Sequence, residues 1–320
     1  MNILFIHCRK GLYSLTICNN CKYKWGCENC SSNLVTYNQF GNRLNLICHQ
    51  CQSVYDYPSN CPSCQQVQIK SVYSGIEDLE RLLQEEYKIN PIRLDLAKTK
   101  FKFQNLENPN QGKQVFLTTR LYDPAIDYCF FDKIILVQAD FLLASSDYQV
   151  QEELIKSLSD LILATSTSQK NPQKNPSIIL DIKDVENQFF ISLVKIKSLE
   201  DLITWHKQKL DQESEFRRVF GFPPSWNMVL LTSHTKKETD AKNHLQAVKN
   251  YLETIQKDFP DIKFSSPYKA KLLKRKGLFS YHLLIKYPRS YNQFIALKKE
   301  LVTQISLYHL QARINPRTVM

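Results

Sequence analysis

The apolar positions of this chain change period several times, and each change marks an element. Asn2-Ile-Leu-Phe-Ile-His reads as a short apolar strand and Gln65 to Val72 as another, while Gly75 to Tyr87 carries leucines at helical spacing. Ile92 to Leu96 is a strand, and the polar, turn-rich run from Lys98 to Lys113 is a loop. Gln114 to Thr119 and Lys133 to Gln138 are continuous apolar runs, the pattern of parallel strands buried on both faces. Gln149 to Leu163 is an amphipathic helix, Ser166 to Pro176 with its paired prolines is a linker, and Ser177 to Ile182 is a further strand. Strand and helix in alternation predict an α/β fold with a parallel sheet.

Two helices follow, from about Val185 to Lys197 and from Leu199 to Phe220, and Phe222-Pro223-Pro224 stops the second. The remainder reads as strand (Met228 to Ser233), helix (Lys237 to Gln256), strands (Lys263 to Lys274 and Ser280 to Tyr287), helix (Tyr291 to Leu307) and strand (Gln311 to Asn315). That is the split βαββαβ order of an α+β domain. With 320 residues and 43% hydrophobic content the chain can fill two or three cores. No apolar run reaches the roughly 18 residues that span a bilayer, so no membrane partner is expected. The start, Met1 to Lys10, has no charged leader before a long apolar run, so a cytoplasmic location is expected.

The cysteines add chemistry to this outline. Between Cys18 and Cys64 stand four C-x-x-C pairs, Cys18/Cys21, Cys27/Cys30, Cys48/Cys51 and Cys61/Cys64, with only Cys8 and Cys129 outside. A C-x-x-C turn aims two thiolates at one point, and two such turns complete the tetrahedral shell of a structural Zn²⁺. Eight ligands therefore predict two Zn²⁺ ions. Neighbouring pairs can join, or the middle pairs can close a loop nested inside an outer site. A hairpin-like run, Asn33 to Tyr37 and Leu44 to Ile47 turned at Phe40-Gly41-Asn42, favours nesting. Zinc 1 is then Cys18, Cys21, Cys61 and Cys64, and zinc 2 is Cys27, Cys30, Cys48 and Cys51. A disulfide framework is the competing reading of an even cysteine count, but regular pairs in a chain without a secretory signal read as metal sites.

Charge is distributed unevenly. The formal net charge is +11, and from Lys263 to Met320 there are twelve Lys or Arg against the single acid Glu300, so residues 1 to 262 cancel. Such asymmetry is the footprint of a nucleic-acid partner, with a solvated lysine-rich surface as the bland alternative. Lys269, Lys271, Lys274, Arg275 and Lys276 fall on a strand and the turn at Gly277, and Lys286, Arg289, Arg313 and Arg317 on elements that a βαββαβ fold can bring near them. These nine are the candidate DNA-binding residues. Tyr268, Phe279, Tyr281 and Tyr287 interleave with them; at least half of these rings belong to a core, and the rest are platforms on which bases can stack. His49, His282, His309 and Cys129 take structural readings, and Asp140 and Asp147 lack the company a catalytic pair needs.

Several segments together resemble the C-terminal half of the bacterial replication-restart helicase PriA, also called primosomal protein N′. Arg9-Lys10-Gly11 is similar to the family's R-R-G, Leu46 to Cys51 to its L-x-C-H-x-C, and Pro58 to Cys64 contains its P-x-x-C-P-x-C. Gly75-Ile76-Glu77 stands where the family has G-T-E, and Arg93-Leu94-Asp95 where it has R-x-D. Glu215 to Pro224 resembles E-x-x-R-x-x-x-x-P-P, and Ala312 to Pro316 the closing I-D-V-D-P. The resemblance covers nearly the whole chain and implies a second helicase lobe of the RecA-like class with an inserted two-zinc module.

The departures concern catalysis. The family's G-T-Q-M-x-x-K-G-x-D-F falls on Thr118 to Tyr128, where Pro124-Ala125 replaces Lys-Gly. Its D-F-R-A-S-E-R falls on Asp147 to Glu153, without either arginine, and its Q-V-A-G-R-A-G-R on Asp160 to Thr167, where the arginines become Ala164 and Thr167. Arginines of that kind are worth about 10³ to 10⁵ in rate. No phosphate-cradling G-x-x-x-x-G-K-[ST] loop is present either.

The organisation expected is therefore a degenerate helicase lobe over residues 1–17 and 65–182, a two-zinc module over 18–64, a helical connector over 183–222 and a basic domain over 223–320. Its function is expected to be binding of forked or single-stranded DNA in replication restart, without ATP or ATPase activity in this chain alone. Single-stranded-DNA-binding protein and other primosome proteins are the partners the resemblance implies. The alternative is the zinc-bearing half of a split or truncated 3′–5′ helicase, with a separate chain carrying the first lobe.

Overall fold

The computed structural model describes residues 1–39, 43–49, 51–94, 114–144, 148–166, 175–275, 277–291 and 293–317. Its contacts divide the chain into two compact units, one of Met1–Trp25, Asn33–Ser145 and Gln151–Leu210, the other of Gly26–Ser32, Ser146–Val150 and Asp211–Met320.

The first unit is built on a parallel sheet. Strand β1 (Asn2–Ile6) pairs in parallel with β8 (Gln114–Thr118) on one side and β9 (Lys133–Leu136) on the other; β10 (Ser177–Leu180) and β7 (Ile92–Arg93) are the outer strands. The alternation along β1 explains why its whole sequence is apolar. Leu4 and Ile6 pack with Phe116, Ile134 and Leu136 against helix α2 (Val150–Ser166), which buries Leu154, Ile155, Leu158 and Leu161. Phe5 points to the opposite face with Val115 and Leu117, where α1 (Ile76–Glu85) covers them with Ile76 and Leu83. Each fully buried Leu, Ile or Phe side chain here contributes roughly 1.5–3 kcal/mol. Helix α3 (Gln188–Val194) starts later than its apolar pattern suggests because the Asn187 side chain accepts the Phe189 N–H at 3.0 Å and sets the cap. Helix α4 (Leu199–Phe220) buries Leu202 and Trp205, and the Trp205 ring donates to Ser192 Oγ at 3.0 Å.

Between β1 and α1 the chain leaves the parallel sheet and builds a second, antiparallel one, in the order β5 (Val54–Asp56), β4 (Arg43–Ile47), β3 (Val35–Gln39), β2 (Tyr13–Cys18), β6 (Ile69–Ser74). The β3–β4 hairpin forms as expected, although its turn at 40–42 lies outside the described residues. Strands β2 and β5 were not expected. Strand β2 alternates cleanly, Tyr13, Leu15 and Ile17 against Ser14 and Thr16, but it runs straight into the first cysteine pair, and β5 is only three residues long and half-exposed. A row of hydroxyls joins the middle of this sheet: Thr16 Oγ1 lies 3.2 Å from Thr36 Oγ1, which lies 3.2 Å from Ser71 Oγ, which lies 3.0 Å from the Tyr57 hydroxyl. The two ends of the insertion cross at Gly11 and Gly75. A Cβ on Gly75 would stand 2.2 Å from the Gly11 carbonyl oxygen, and Gly11 itself has φ +78°.

The second unit contains the split βαββαβ domain. Its sheet runs β12 (Lys263–Phe264), β14 (Leu278–Pro288), β11 (Trp226–Thr235), β15 (Gln311–Ile314), all antiparallel, with β13 (Tyr268–Arg275) also on β14. The run from Lys263 to Lys274 is thus two strands. Pro267, which cannot donate to a ladder, lies between them, and Ser265 bridges to Leu284 by its N–H (2.9 Å) and hydroxyl (3.0 Å). Helices α5 (Glu238–Ile255) and α6 (Phe294–Leu307) cover one face through Ala241, Leu245, Val248 and Leu252 and through Leu297 and Leu301.

The Gly75 crossing gives a direct test. Its backbone is extended, so Gly75→Ala introduces only the steric clash with fixed backbone, and should cost about 1–3 kcal/mol in urea unfolding of the metal-loaded chain. A variant as stable as the parent would mean that the crossing is loosely packed.

Candidate metal centres and nucleic-acid interface

All four C-x-x-C turns fold alike. In each, the N–H four residues after the first cysteine donates to that cysteine's carbonyl: Lys22 to Cys18 (3.0 Å), Ser31 to Cys27 (2.7 Å), Gln52 to Cys48 (2.9 Å) and Gln65 to Cys61 (2.8 Å). The first cysteine's own N–H donates to the carbonyl one residue further on, at Tyr23, Ser32, Ser53 and Gln66. The donor residue is left-handed every time, with φ of 62°, 60°, 62° and 59°. This turn aims backbone and both sulfurs at one point, and it is made without glycine.

The antiparallel sheet then brings the turns together in pairs. Strand β2 ends at Cys18 and pairs with β6, which follows Cys61 and Cys64; the β3–β4 hairpin ends beside Cys48 and begins after Cys27 and Cys30. The outcome is two four-sulfur groups, Cys18/Cys21/Cys61/Cys64 and Cys27/Cys30/Cys48/Cys51, each with its sulfurs within 4.8 Å of one another. Cys18 and Cys64 are 3.6 Å apart and Cys21 and Cys61 3.5 Å. A tetrahedron with Zn–S bonds of about 2.3 Å separates its sulfurs by about 3.8 Å, whereas a disulfide needs about 2.05 Å. None of the ten cysteines is in a disulfide. The Gln66 N–H, with the Asn20 side chain and the neighbouring thiols, lowers the Cys64 pKa to about 6, which favours the thiolate a metal requires. Each group can hold a metal ion, and an all-thiolate, four-donor set suits zinc. His49 is outside both groups: its Nε2 is 2.7 Å from the Tyr37 hydroxyl and its ring stacks on Tyr37.

The described basic candidates of the terminal sheet are divided between its two faces. On β14, Tyr281, Leu283, Ile285 and Tyr287 face the helices, while His282, Leu284 and Lys286 face the other way. Lys269 lies opposite the buried Tyr281 and Lys274 opposite Phe279, and Lys269 Nζ pairs with Glu238 at 3.0 Å. Arg313, opposite Leu230, is on the other face, together with Lys286. Lys286 is turned inward: its Nζ donates to the Phe220 carbonyl at 2.8 Å, closing the end of α4, and lies 3.7 Å from the Phe222 ring centroid. Burial, with Lys263 opposite it, lowers its pKa. Lys271, Arg289, Arg313 and Arg317 are exposed; Lys276 and the Arg275 side chain lie outside the described residues. Of the four interleaved rings Tyr281 and Tyr287 are core, and Tyr268 and Phe279 are half-buried. His282 is also buried, against Thr232 Oγ1 at 2.9 Å, and burial with Arg313 nearby lowers its pKa to about 4, so it stays neutral at physiological pH.

A buried pin that the sequence pattern does not announce organises the remaining apolar face. Tyr148 stacks on Phe222 at 4.8 Å, donates to the Pro316 carbonyl at 2.8 Å, and receives Arg217 Nη2 on its own carbonyl at 3.2 Å. The matched segments Glu215 to Pro224 and Ala312 to Pro316 meet at this tyrosine. Among the helicase-like positions, Arg120 is spent on Asp123 at 2.6 Å, and Asp140 accepts the N–H groups of Lys183 and Asp184. Lys113, Asp147 and Thr167 lie outside the described residues.

No protein-family model matches the chain. It is similar along nearly its whole length to curated proteins described as "Replication restart protein PriA": 24% identical to that of Synechocystis over 99% of this chain, 23% to that of Borreliella burgdorferi over 98%, and 22% to that of Rickettsia conorii over 99%. The chain spans only 37%, 46% and 47% of these relatives' lengths. Several such relatives at this level make the similarity to a PriA segment consistent rather than isolated.

The two sulfur groups predict a stoichiometry. Elemental analysis of the purified chain should give about two zincs, and Cys48→Ser should release about one while the Cys18/Cys21/Cys61/Cys64 group stays loaded. Loss of both ions from that single change would contradict two independent centres.

Proposed function

We propose that this chain is a DNA-binding protein of the PriA type that acts in replication restart. The similarity to PriA proteins along 98–99% of the chain carries this reading, and the two four-cysteine groups support it. In this reading residues 1–17 and 65–182 are a helicase-type lobe without its catalytic arginines, residues 18–64 a two-zinc module, 183–222 a connector and 223–320 the basic domain. Zinc ligation holds the module, because its half-exposed strands bury too little apolar surface to fold on their own. The exposed cations Lys271, Arg289, Arg313 and Arg317, with Lys274, Arg275 and Lys276, meet DNA phosphates, and partly exposed rings such as Tyr268 offer stacking surfaces. Forked or single-stranded DNA, single-stranded-DNA-binding protein and primosome proteins are the proposed partners, and the cytoplasm the proposed location; no helix among the described residues is long and apolar enough to cross a membrane.

Fluorescence anisotropy with forked, single-stranded and duplex DNA tests binding directly. If about four phosphates are neutralised, log K should fall with log salt at a slope near −3 on single strands, at roughly −0.7 per phosphate. Charge reversal at Lys274, Arg275 and Lys276 should flatten that slope by about 2 units while metal content stays unchanged. Wild-type affinity and slope in the triple variant would reduce the basic turn to a solvated surface.

The same reading gives no ATP hydrolysis by this chain alone. Purified protein with saturating DNA should release phosphate no faster than buffer, since arginines worth about 10³ to 10⁵ in rate are replaced at Ala164 and Thr167. DNA-stimulated turnover that disappears on changing Arg120 would show that a working nucleotide site exists in this lobe.

A further inference from the structure

The two sulfur groups differ in how far solvent reaches them. In the inner group Cys27, Cys30 and Cys48 are 2%, 1% and 0% exposed, and only Cys51 is open, so both cysteines of the Cys27/Cys30 turn are closed to solvent. The outer group is open on both of its turns. Cys21 is exposed on one, and Cys64 is half-exposed on the other, where its sulfur faces solvent. Their turn partners Cys18 and Cys61 are both 0% exposed.

Each accessible cysteine lies against the buried cysteine of the opposite turn. Cys21 Sγ is 3.5 Å from Cys61 Sγ, and Cys64 Sγ is 3.6 Å from Cys18 Sγ. A disulfide needs about 2.05 Å, so each pair has about 1.5 Å to close. The backbone holds the two turns in place for that closure. Cys18 pairs with Ile69 across β2 and β6, and the Asn19 N–H donates to the Gln68 carbonyl at 2.7 Å. These ladder bonds involve no metal, so they keep the turns adjacent after an ion has left.

Thiolates that ligate a metal are also nucleophiles, and their susceptibility to oxidation follows thiolate character and exposure. A sulfenic acid with a thiol beside it condenses to a disulfide, which thiol reductants reverse; without one it goes on to the sulfinic acid, which they do not. The outer group offers an accessible attacker with a buried resolving partner twice, once from each turn. The inner group offers one accessible cysteine in all.

We propose that the Cys18/Cys21/Cys61/Cys64 group is a reversible oxidation site for oxidants of the hydroperoxide class, in which Cys21 and Cys64 are attacked, Cys61 and Cys18 resolve them, and one zinc is released while the Cys27/Cys30/Cys48/Cys51 group keeps its own. At each pair the exposed thiolate attacks one peroxide oxygen, the O–O bond breaks, and the departing hydroxide takes a proton to become water. The buried thiolate then attacks the S–OH sulfur, forms the S–S bond and expels a second hydroxide, which is protonated in turn. Over the whole group, the zinc-bound tetrathiolate, two hydrogen peroxides and four protons give two disulfides, free Zn²⁺ and four waters; four electrons pass from sulfur to the peroxides. Both new bonds run between turns, so a covalent link replaces the metal link and the base of the insertion stays closed. The inference rests on zinc occupancy of the two groups and not on DNA binding.

The test uses the zinc-loaded full chain, with its zinc content measured first. Hydrogen peroxide is added while released zinc is followed with a chromogenic chelator against a peroxide-free control; remaining thiols are then blocked with N-ethylmaleimide, and unreduced peptides are mapped by mass spectrometry. The expected result is loss of about one of two zincs in a first phase, with Cys21–Cys61 and Cys18–Cys64 disulfides and with Cys27, Cys30, Cys48 and Cys51 still thiols. Dithiothreitol with added zinc should then restore the starting zinc content. Release of both zincs in a single phase, first oxidation in the inner group, disulfides within turns (Cys18–Cys21 or Cys61–Cys64), sulfinic acids in place of disulfides, or no release under peroxide that fully oxidises free cysteine would overturn the proposal. A starting content below two zincs would sink the metal reading by itself, and the disulfide map of the same sample would still decide the oxidation site.

Discussion

Four thiolates can be brought to one point only if two separate turns are each locked and then held against each other. The turns supply the first half of that requirement through one repeated backbone motif, a left-handed residue immediately after the second cysteine whose N–H returns to the first cysteine's carbonyl. The sheet supplies the second half. β2 beside β6 joins the outer pairs, and β3 beside β4 joins the inner ones, so each group depends on long-range pairing that the other does not share. Gly11 and Gly75 then let the two ends of the insertion cross within van der Waals reach and return the chain to the parallel sheet.

In the terminal domain the governing conflict is between charge and burial. A strand such as β14 must alternate, and the face that receives Leu283 and Ile285 also receives Tyr281 and Tyr287, so half of its aromatic residues are committed to packing. The opposite face holds Lys286 against a helix end and an aromatic ring rather than in solvent. Charge is available at the strand ends and edges, where Lys271, Arg289, Arg313 and Arg317 are exposed. Clustering along the sequence overstates clustering in space, because neighbouring strand residues point to opposite faces.

The parallel strands, most helices and the βαββαβ order were legible because their periods are strong and their caps local: Ile134 to Val137 is apolar throughout, and Phe222-Pro-Pro can only end a helix. The grouping of the cysteines was legible through one hairpin. The Tyr148 pin was not. Tyr148 bonds a residue 168 positions away, and no local pattern encodes that encounter. Strands β2 and β5 were missed for a different reason, since they adjoin the cysteine pairs, and β5 is held by its pairing with β4 rather than by a pattern of its own.

The antiparallel insertion, as read here, rests on two separate, all-sulfur metal centres. Zinc K-edge X-ray absorption on the purified full chain examines that most directly. The account predicts a first shell of about four sulfurs at about 2.3 Å, with no nitrogen or oxygen and no metal–metal distance below about 4 Å. A shell containing histidine nitrogen, or a short metal–metal vector from a shared thiolate cluster, would contradict it.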